Sequence, residues 1–274
     1  MPRQEESELK NLPLWPDSLM QEQCIDHGLP SYSVHDWKDF MMKCIKLYPK
    51  HQGMIYRGQT RYDWKLSSTL SRIYSDECIP DDERQVLLKE YRLKEVPSGP
   101  EFQHAGDNEV WAYCQHRGKP TPLLDWTTSP FIALYFAFLE QDDDNKKTNP
   151  GRAIFCLNKF LLEKEEKLKN IFYEPDKPKD DRRTNQAGLF TILPDSQNDL
   201  VSYIFQELIN DNNHDSEEIE KNMSKYFYKI HIPNIGHEEC LKLLRQMNIY
   251  PQILLPDADN NADQKNDWLS RRNS

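Results

Sequence analysis

The chain has 274 residues, a net charge of -10 with 35 Lys+Arg against 45 Asp+Glu, and a composition that is 37% hydrophobic, 29% charged and 11% aromatic. That length holds one large domain or two small ones with a proper core, and the aromatic content argues against wholesale disorder. The acidic balance speaks against backbone-driven nucleic-acid binding, which needs Lys and Arg on the phosphates, and leaves room for a local basic pocket.

No apolar run approaches the roughly 20 residues that cross a bilayer, and MPRQEESELK lacks a signal-type hydrophobic stretch. A soluble, cytoplasmic protein without a membrane partner is the expectation. The 6 cysteines show no Cys-x-x-Cys and the 8 histidines no His-Glu-x-x-His, so no zinc ribbon, disulfide framework or other metal site is expected.

In chain order, residues 1–30 read as an arm packed on the body through Leu14, Trp15 and Leu19. A helix starts near Ser33, with Ser33 and Asp36 as a capping box and Val34, Trp37, Phe40, Met41, Cys44 and Ile45 on one face; Pro49 ends it. Residues 53–59 read as a strand, 67–70 as a loop or short helix, and 81–96 and 108–115 as helices. From His116 a polar, tightly turned stretch runs into a helix whose first turn holds Pro130, after the capping hydroxyls Thr127, Thr128 and Ser129. Residues 131–138 are apolar all round, the pattern of a central core helix.

Residues 141–151 form a solvated turn and 152–158 a strand. The charged, proline-interrupted stretch 163–185 reads as a helix tail and a mobile loop, a candidate lid. A strand over 188–193, a helix over 200–209, an acidic insertion over 210–222, a strand over 226–232 and a helix over 240–247 follow. There is no repeat and no regular βαβ alternation, so the class is α+β, organised as arm 1–30, domain 31–258 and flexible tail 259–274.

Four ordered blocks carry the chemistry: Tyr56-Arg57-Gly58-Gln59; His116 with Pro120-Thr121 and Leu123-Leu124-Asp125-Trp126-Thr127; Gln186, Gly188 and Phe190; and Leu254-Leu255-Pro256-Asp257. Together they resemble the FRG-domain family, named for a Phe/Tyr-Arg-Gly triplet, from about residue 31 to about 258. One position departs from the family pattern: Pro122 stands where an arginine usually follows Thr121, and Arg117 or Lys119 would have to supply its anion contact. Each residue also has a plainer reading. Arg57 fits a surface ion pair, Asp125 a buried salt bridge or cap, the hydroxyl run an N-cap, and His116 and Gln186 taken singly carry little weight.

The order of the blocks is similar to the Arg, Ser-Thr-Ser, Glu arrangement of ADP-ribosyltransferases. That likeness implies a split antiparallel β-sheet core with surrounding helices, gripping NAD as substrate. Arg57 would hold ribose or phosphate beside Gly58 and Gln59, and Tyr56 or a nearby aromatic such as Phe190 would stack on nicotinamide. Thr127, Thr128 and Ser129 would set the ribose, and Gln186 would take its 2′-hydroxyl. A glutamine cannot neutralise developing positive charge, so Asp125 or Glu207 would do so, with His116 as a base toward the acceptor.

The expectation is an NAD-dependent mono-ADP-ribosyltransferase-like toxin or phage-defence effector. Its acceptor is a macromolecule, whether RNA, DNA or protein, and an antitoxin or regulatory protein is a further expected partner. The alternatives are a metal-dependent hydrolase or nuclease using His116, Asp125 and Arg57, and a non-catalytic nucleotide-sensing or interaction module.

Overall fold

Runs of alternating side chains build one mixed sheet of eight strands, in a computed structural model that describes residues 12–15, 24–26, 28–47, 53–74, 79–99, 102, 104–140, 151–175, 188–194, 197, 199–212 and 222–254. The strands are β1 (Cys24–Asp26), β2 (Leu29–Ser33), β3 (Met54–Gln59), β4 (Leu123–Thr127), β5 (Arg152–Asn158), β6 (Phe172–Tyr173), β7 (Gly188–Ile192) and β8 (Phe227–Ile232). The helices are α1 (Trp37–Leu47), α2 (Thr69–Ile73), α3 (Asp81–Lys94), α4 (Asp107–Gln115), α5 (Pro130–Ala137), α6 (Lys159–Leu162), α7 (Leu200–Asn212), α8 (His237–Gln246) and α9 (Pro251–Leu254). The class is α+β.

The sheet order is β1-β2-β8-β5-β3-β4-β7-β6. Neighbours are antiparallel except β2 and β8, which run parallel through the pairs Ser31↔Lys229 to Ser33↔His231, so the sheet is mixed rather than wholly antiparallel. Nor is it split into two sheets. It is thinnest between β3 and β4, which share the single registered pair Tyr56↔Thr127, whereas β3 and β5 share six.

Successive residues of the central strands point to opposite faces and enter different cores. Tyr56, Cys156, Tyr228 and Ile230 join the cluster under α1, α5 and α8, while Ile55, Phe155, Leu157 and Phe227 join the cluster under α7. With both faces covered, β5 and β8 are continuously buried. A third cluster, around Tyr91, Val110 and Trp111 of α3 and α4, packs on Leu123 and Phe190 at the β4–β7 end.

Trp15 is fully buried, and Ser33 ties the N-terminal stretch to the sheet, accepting from Trp15 N at 2.7 Å and donating to Pro13 O at 2.8 Å. Leu14 is exposed, and Leu19 lies outside the described residues. The capping box of α1 sits three residues later than expected: Asp36 accepts from Asp39 N at 2.8 Å, and Asp39 accepts from His35 N at 3.0 Å. Ser33 ends β2, and its hydroxyl goes to Leu12 O. Helix α5 begins as its sequence demands, with Pro130 in the first turn and Ser129 Oγ accepting from Ile132 N at 3.3 Å. The tail 259–274 and most of 210–222 lie outside the described residues.

Candidate functional site

Past the pair Tyr56↔Thr127 the β3–β4 ladder stops, and a side chain takes over. Arg57 Nη1 donates to the main-chain oxygen of Asp125 at 2.9 Å and lies 3.5 Å from Asp125 Oδ2. The guanidinium is largely buried, and that burial lowers its pKa; the Asp125 charge and hydrogen bond oppose the shift. Arginine titrates so high that it stays a cation. Its Nε is buried without a hydrogen-bond partner among the described residues.

Asp125 is not buried, contrary to the expectation from its apolar neighbours. Its side chain is 60% exposed. Leu124 and Trp126 alternate into the α7-side core, which turns Asp125 to the other face. There Gln115, the last residue of α4, donates from Nε2 to Asp125 Oδ1 at 2.6 Å. Gln115 in turn accepts a close hydrogen bond from the hydroxyl of fully buried Thr121.

Beside the carboxylate lies a group of rings. Phe190 pairs in register with Asp125, Tyr173 stacks on Phe190 at 6.4 Å, and His116 meets Phe190 edge-on at 6.2 Å. Phe190 is buried, whereas Tyr173 and His116 are half-buried. The hydroxyl run serves the start of α5: buried Thr127 accepts from Ser129 N at 3.1 Å, Ser129 caps, and Thr128 faces solvent.

Three residues of the first block lie elsewhere. Tyr56 is buried in the α5-side core, so it cannot stack on a ligand. Gly58 answers to a helix: a Cβ built on it would stand 1.9 Å from Ala133 O and 2.7 Å from Ala137 N. That close approach of α5 is what the position requires, in place of the ligand approach read from the sequence. Gln59 is buried and donates to Lys65 O at 3.3 Å, holding the turn after β3.

Gln186 lies outside the described residues; β7 begins just after it, with Gly188 opposite Thr127. Glu207 pairs with Lys167 at 2.8 Å on the α7 side of the sheet, away from the face that Asp125 occupies. Neither proposed substitute for the missing arginine reaches Arg57 and Asp125: Lys119 pairs with Glu95 at 2.8 Å, and Arg117 lies over Tyr113 at 3.6 Å. Pro122 instead lines a surface depression with Ser68, Ser71, Arg84 and Gln197. The lid candidate is described only to residue 175, where β6 pairs with β7 and Lys159 binds Glu174 at 3.0 Å.

Sequence reading missed Gln115, Thr121 and Tyr173 as site residues. Thr121 had a signal, since it stands inside the block that begins at His116, and Gln115 directly precedes that block; Tyr173 had none, because β6 is two residues long.

Among the described residues, no three His, Cys, Asp or Glu side chains gather to hold a metal ion, and no helix is long and apolar enough to cross a membrane. Fold and site thus define an α+β protein with an arginine-carboxylate pair at the weakest seam of its sheet. Residues 52–146 match the family model of the FRG domain, which supports the FRG-domain family for this chain over a shorter span than the 31–258 read from the motifs. That match holds β3, α4, β4 and α5, and with them Arg57, Gln115, His116 and Asp125. No curated protein and no solved structure matches the chain.

Proposed function

We propose that the chain is an NAD-dependent mono-ADP-ribosyltransferase-like enzyme, acting as a toxin or defence effector on a macromolecular acceptor. The observation that carries this reading is the seam at Tyr56↔Thr127, where a buried cation, an exposed carboxylate and a capped helix start converge. Cleaving the bond between nicotinamide and ribose passes through an oxocarbenium-like state. It needs a cation for the pyrophosphate, a negative group near the ribose and a surface that orients nicotinamide.

Arg57 supplies the cation. Asp125 supplies the negative charge that Gln186 lacks, and Gln186 binds the ribose 2′-hydroxyl. Tyr173 and His116, half-buried beside Phe190, replace Tyr56 as the stacking surface. The bond electrons leave with nicotinamide, the acceptor attacks the ribose carbon, and His116 takes the acceptor's proton. An antitoxin or regulatory protein and a cytoplasmic setting complete the reading.

The test is incubation of the purified protein with NAD labelled in the adenylate part, a cell lysate and EDTA. Nicotinamide release with label on a macromolecule is expected. One observation favours a second reading: Arg57 Nη1 is already engaged by a main-chain oxygen, as a structural strut would be. NAD binding without nicotinamide release would establish that reading, a nucleotide-sensing or interaction module. Magnesium-dependent cutting of nucleic acid, without NAD turnover, would establish the hydrolase.

A further inference from the structure

We infer that Gln115 is a positioning residue, set by Thr121, that fixes the orientation of the Asp125 carboxylate; the inference rests on the reading of Asp125 as the group facing the ribose. The hydrogen bonds have one consistent direction. Thr121 Oγ1 accepts from Leu123 N at 3.3 Å, so its own proton is free for Gln115 Oε1. A hydroxyl can accept as well as donate, so the acceptor-only carboxylate fixes which end of the Gln115 amide takes the Thr121 proton. The NH₂ end must then face Asp125, where it meets Oδ1 at 2.6 Å. Inverting the amide would bring its oxygen against a carboxylate oxygen.

With Oδ1 held by the amide, Oδ2 is the oxygen turned to Arg57, at 3.5 Å. Asp125 itself is exposed and would otherwise sample several rotamers. The base of the relay is anchored: Thr121 is fully buried, and its main chain is clamped by Thr69, which accepts from Thr121 N at 2.9 Å and donates to Thr121 O at 3.2 Å. A rigid hydroxyl therefore sets a half-buried amide, and the amide sets an exposed carboxylate.

The relay predicts a pattern across five variants of the full chain, read by kcat and KM for nicotinamide release, calorimetric NAD affinity and thermal midpoint. Gln115→Leu lowers kcat about tenfold or more, the scale of a lost hydrogen bond to a charged group, with KM and NAD affinity within about twofold. Thr121→Val, which keeps the shape and loses the hydroxyl, reproduces most of that loss; Thr121→Ser restores activity. The Gln115→Leu/Thr121→Val double variant is no worse than Gln115→Leu alone, because the two act in series.

Gln115→Glu, which keeps length and packing, loses at least as much by setting a second carboxylate against Asp125, and it serves should Gln115→Leu not fold. Wild-type kcat in Gln115→Leu or in Thr121→Val overturns the inference, and so does a loss in thermal midpoint and NAD affinity that matches the loss in kcat. A wild-type protein that releases no nicotinamide overturns the parent reading and this inference with it, whereas an active wild type with tolerant variants overturns the inference alone.

Discussion

Arg57 reaches Asp125 at two points, its main-chain oxygen at 2.9 Å and its carboxylate at 3.5 Å, across the gap where β3 and β4 cease to pair. Both contacts come from one nitrogen, Nη1; a lysine ammonium keeps the charge but lacks the planar, multidentate fork. Arg57→Lys is therefore expected to lose about 2 kcal/mol of transition-state stabilisation, roughly 30-fold in kcat/KM for nicotinamide release. Circular dichroism and denaturation midpoints should stay close to wild type. Undiminished turnover would leave Arg57 as a strut of the sheet.

Gly58→Ala tests the other side of the same strand. A methyl there meets main-chain atoms of α5, which cannot rotate away as a flexible side chain can. The variant should lose about 3 kcal/mol of stability by urea denaturation, at the top of the range for overpacking. A stable Ala variant would return Gly58 to the ligand-approach reading.

The aromatic assignments separate in a pair of substitutions. Tyr56→Phe keeps the buried ring, so it should cost about 1 kcal/mol of stability and leave NAD turnover unchanged. Tyr173→Leu removes a half-buried ring stacked on Phe190 and should raise KM for NAD several-fold at nearly constant stability. The reverse pattern would reinstate Tyr56 as the stacking residue.

Buried thiols give the fold an alkaline limit. Burial pushes Cys114 and Cys240 up to about 12 from an ordinary 9.0, with Glu95 adding to the shift at Cys114. A folded pKa raised above the unfolded one contributes stability that is complete below about pH 9 and is lost as pH climbs toward 12. The slope is about 1.4 kcal/mol per pH unit for each thiol. Urea midpoints from pH 7 to 11 should fall above pH 9, and Cys240→Ala should lessen the slope by one proton's worth.

Much of this architecture is legible in the residues. The Pro130 helix, the strand bearing Arg57 and the strands 152–158 and 227–232 follow from capping chemistry and from side chains alternating between the two cores of a sheet covered on both sides. β4 escaped because it is five residues long and carries a central aspartate before the capping hydroxyls. The same shortness misled on Asp125: without a strand there is no alternation, and a carboxylate among apolar residues reads as buried. Tyr56 and Gly58 escaped for a different reason. A triplet gives the residues and not the faces, and only the α5 contact shows that Tyr56 and Gly58 face that helix while Arg57 between them takes the opposite face. The shift of the α1 cap from Ser33 to Asp36 was decided by a strand partner some 200 positions along the chain, invisible in a local window.

The stretch that matches the FRG family model cannot close its own sheet. β3 needs β5, β4 needs β7, and both partners lie beyond residue 146. During synthesis, the strand bearing Arg57 waits for almost a hundred further residues before its main ladder forms, and β2 waits for β8 at residue 227. Such distant pairings make folding late and slow relative to chains with local contacts. A message cut short after α5 would yield Arg57 and Asp125 without the strands that hold them in place.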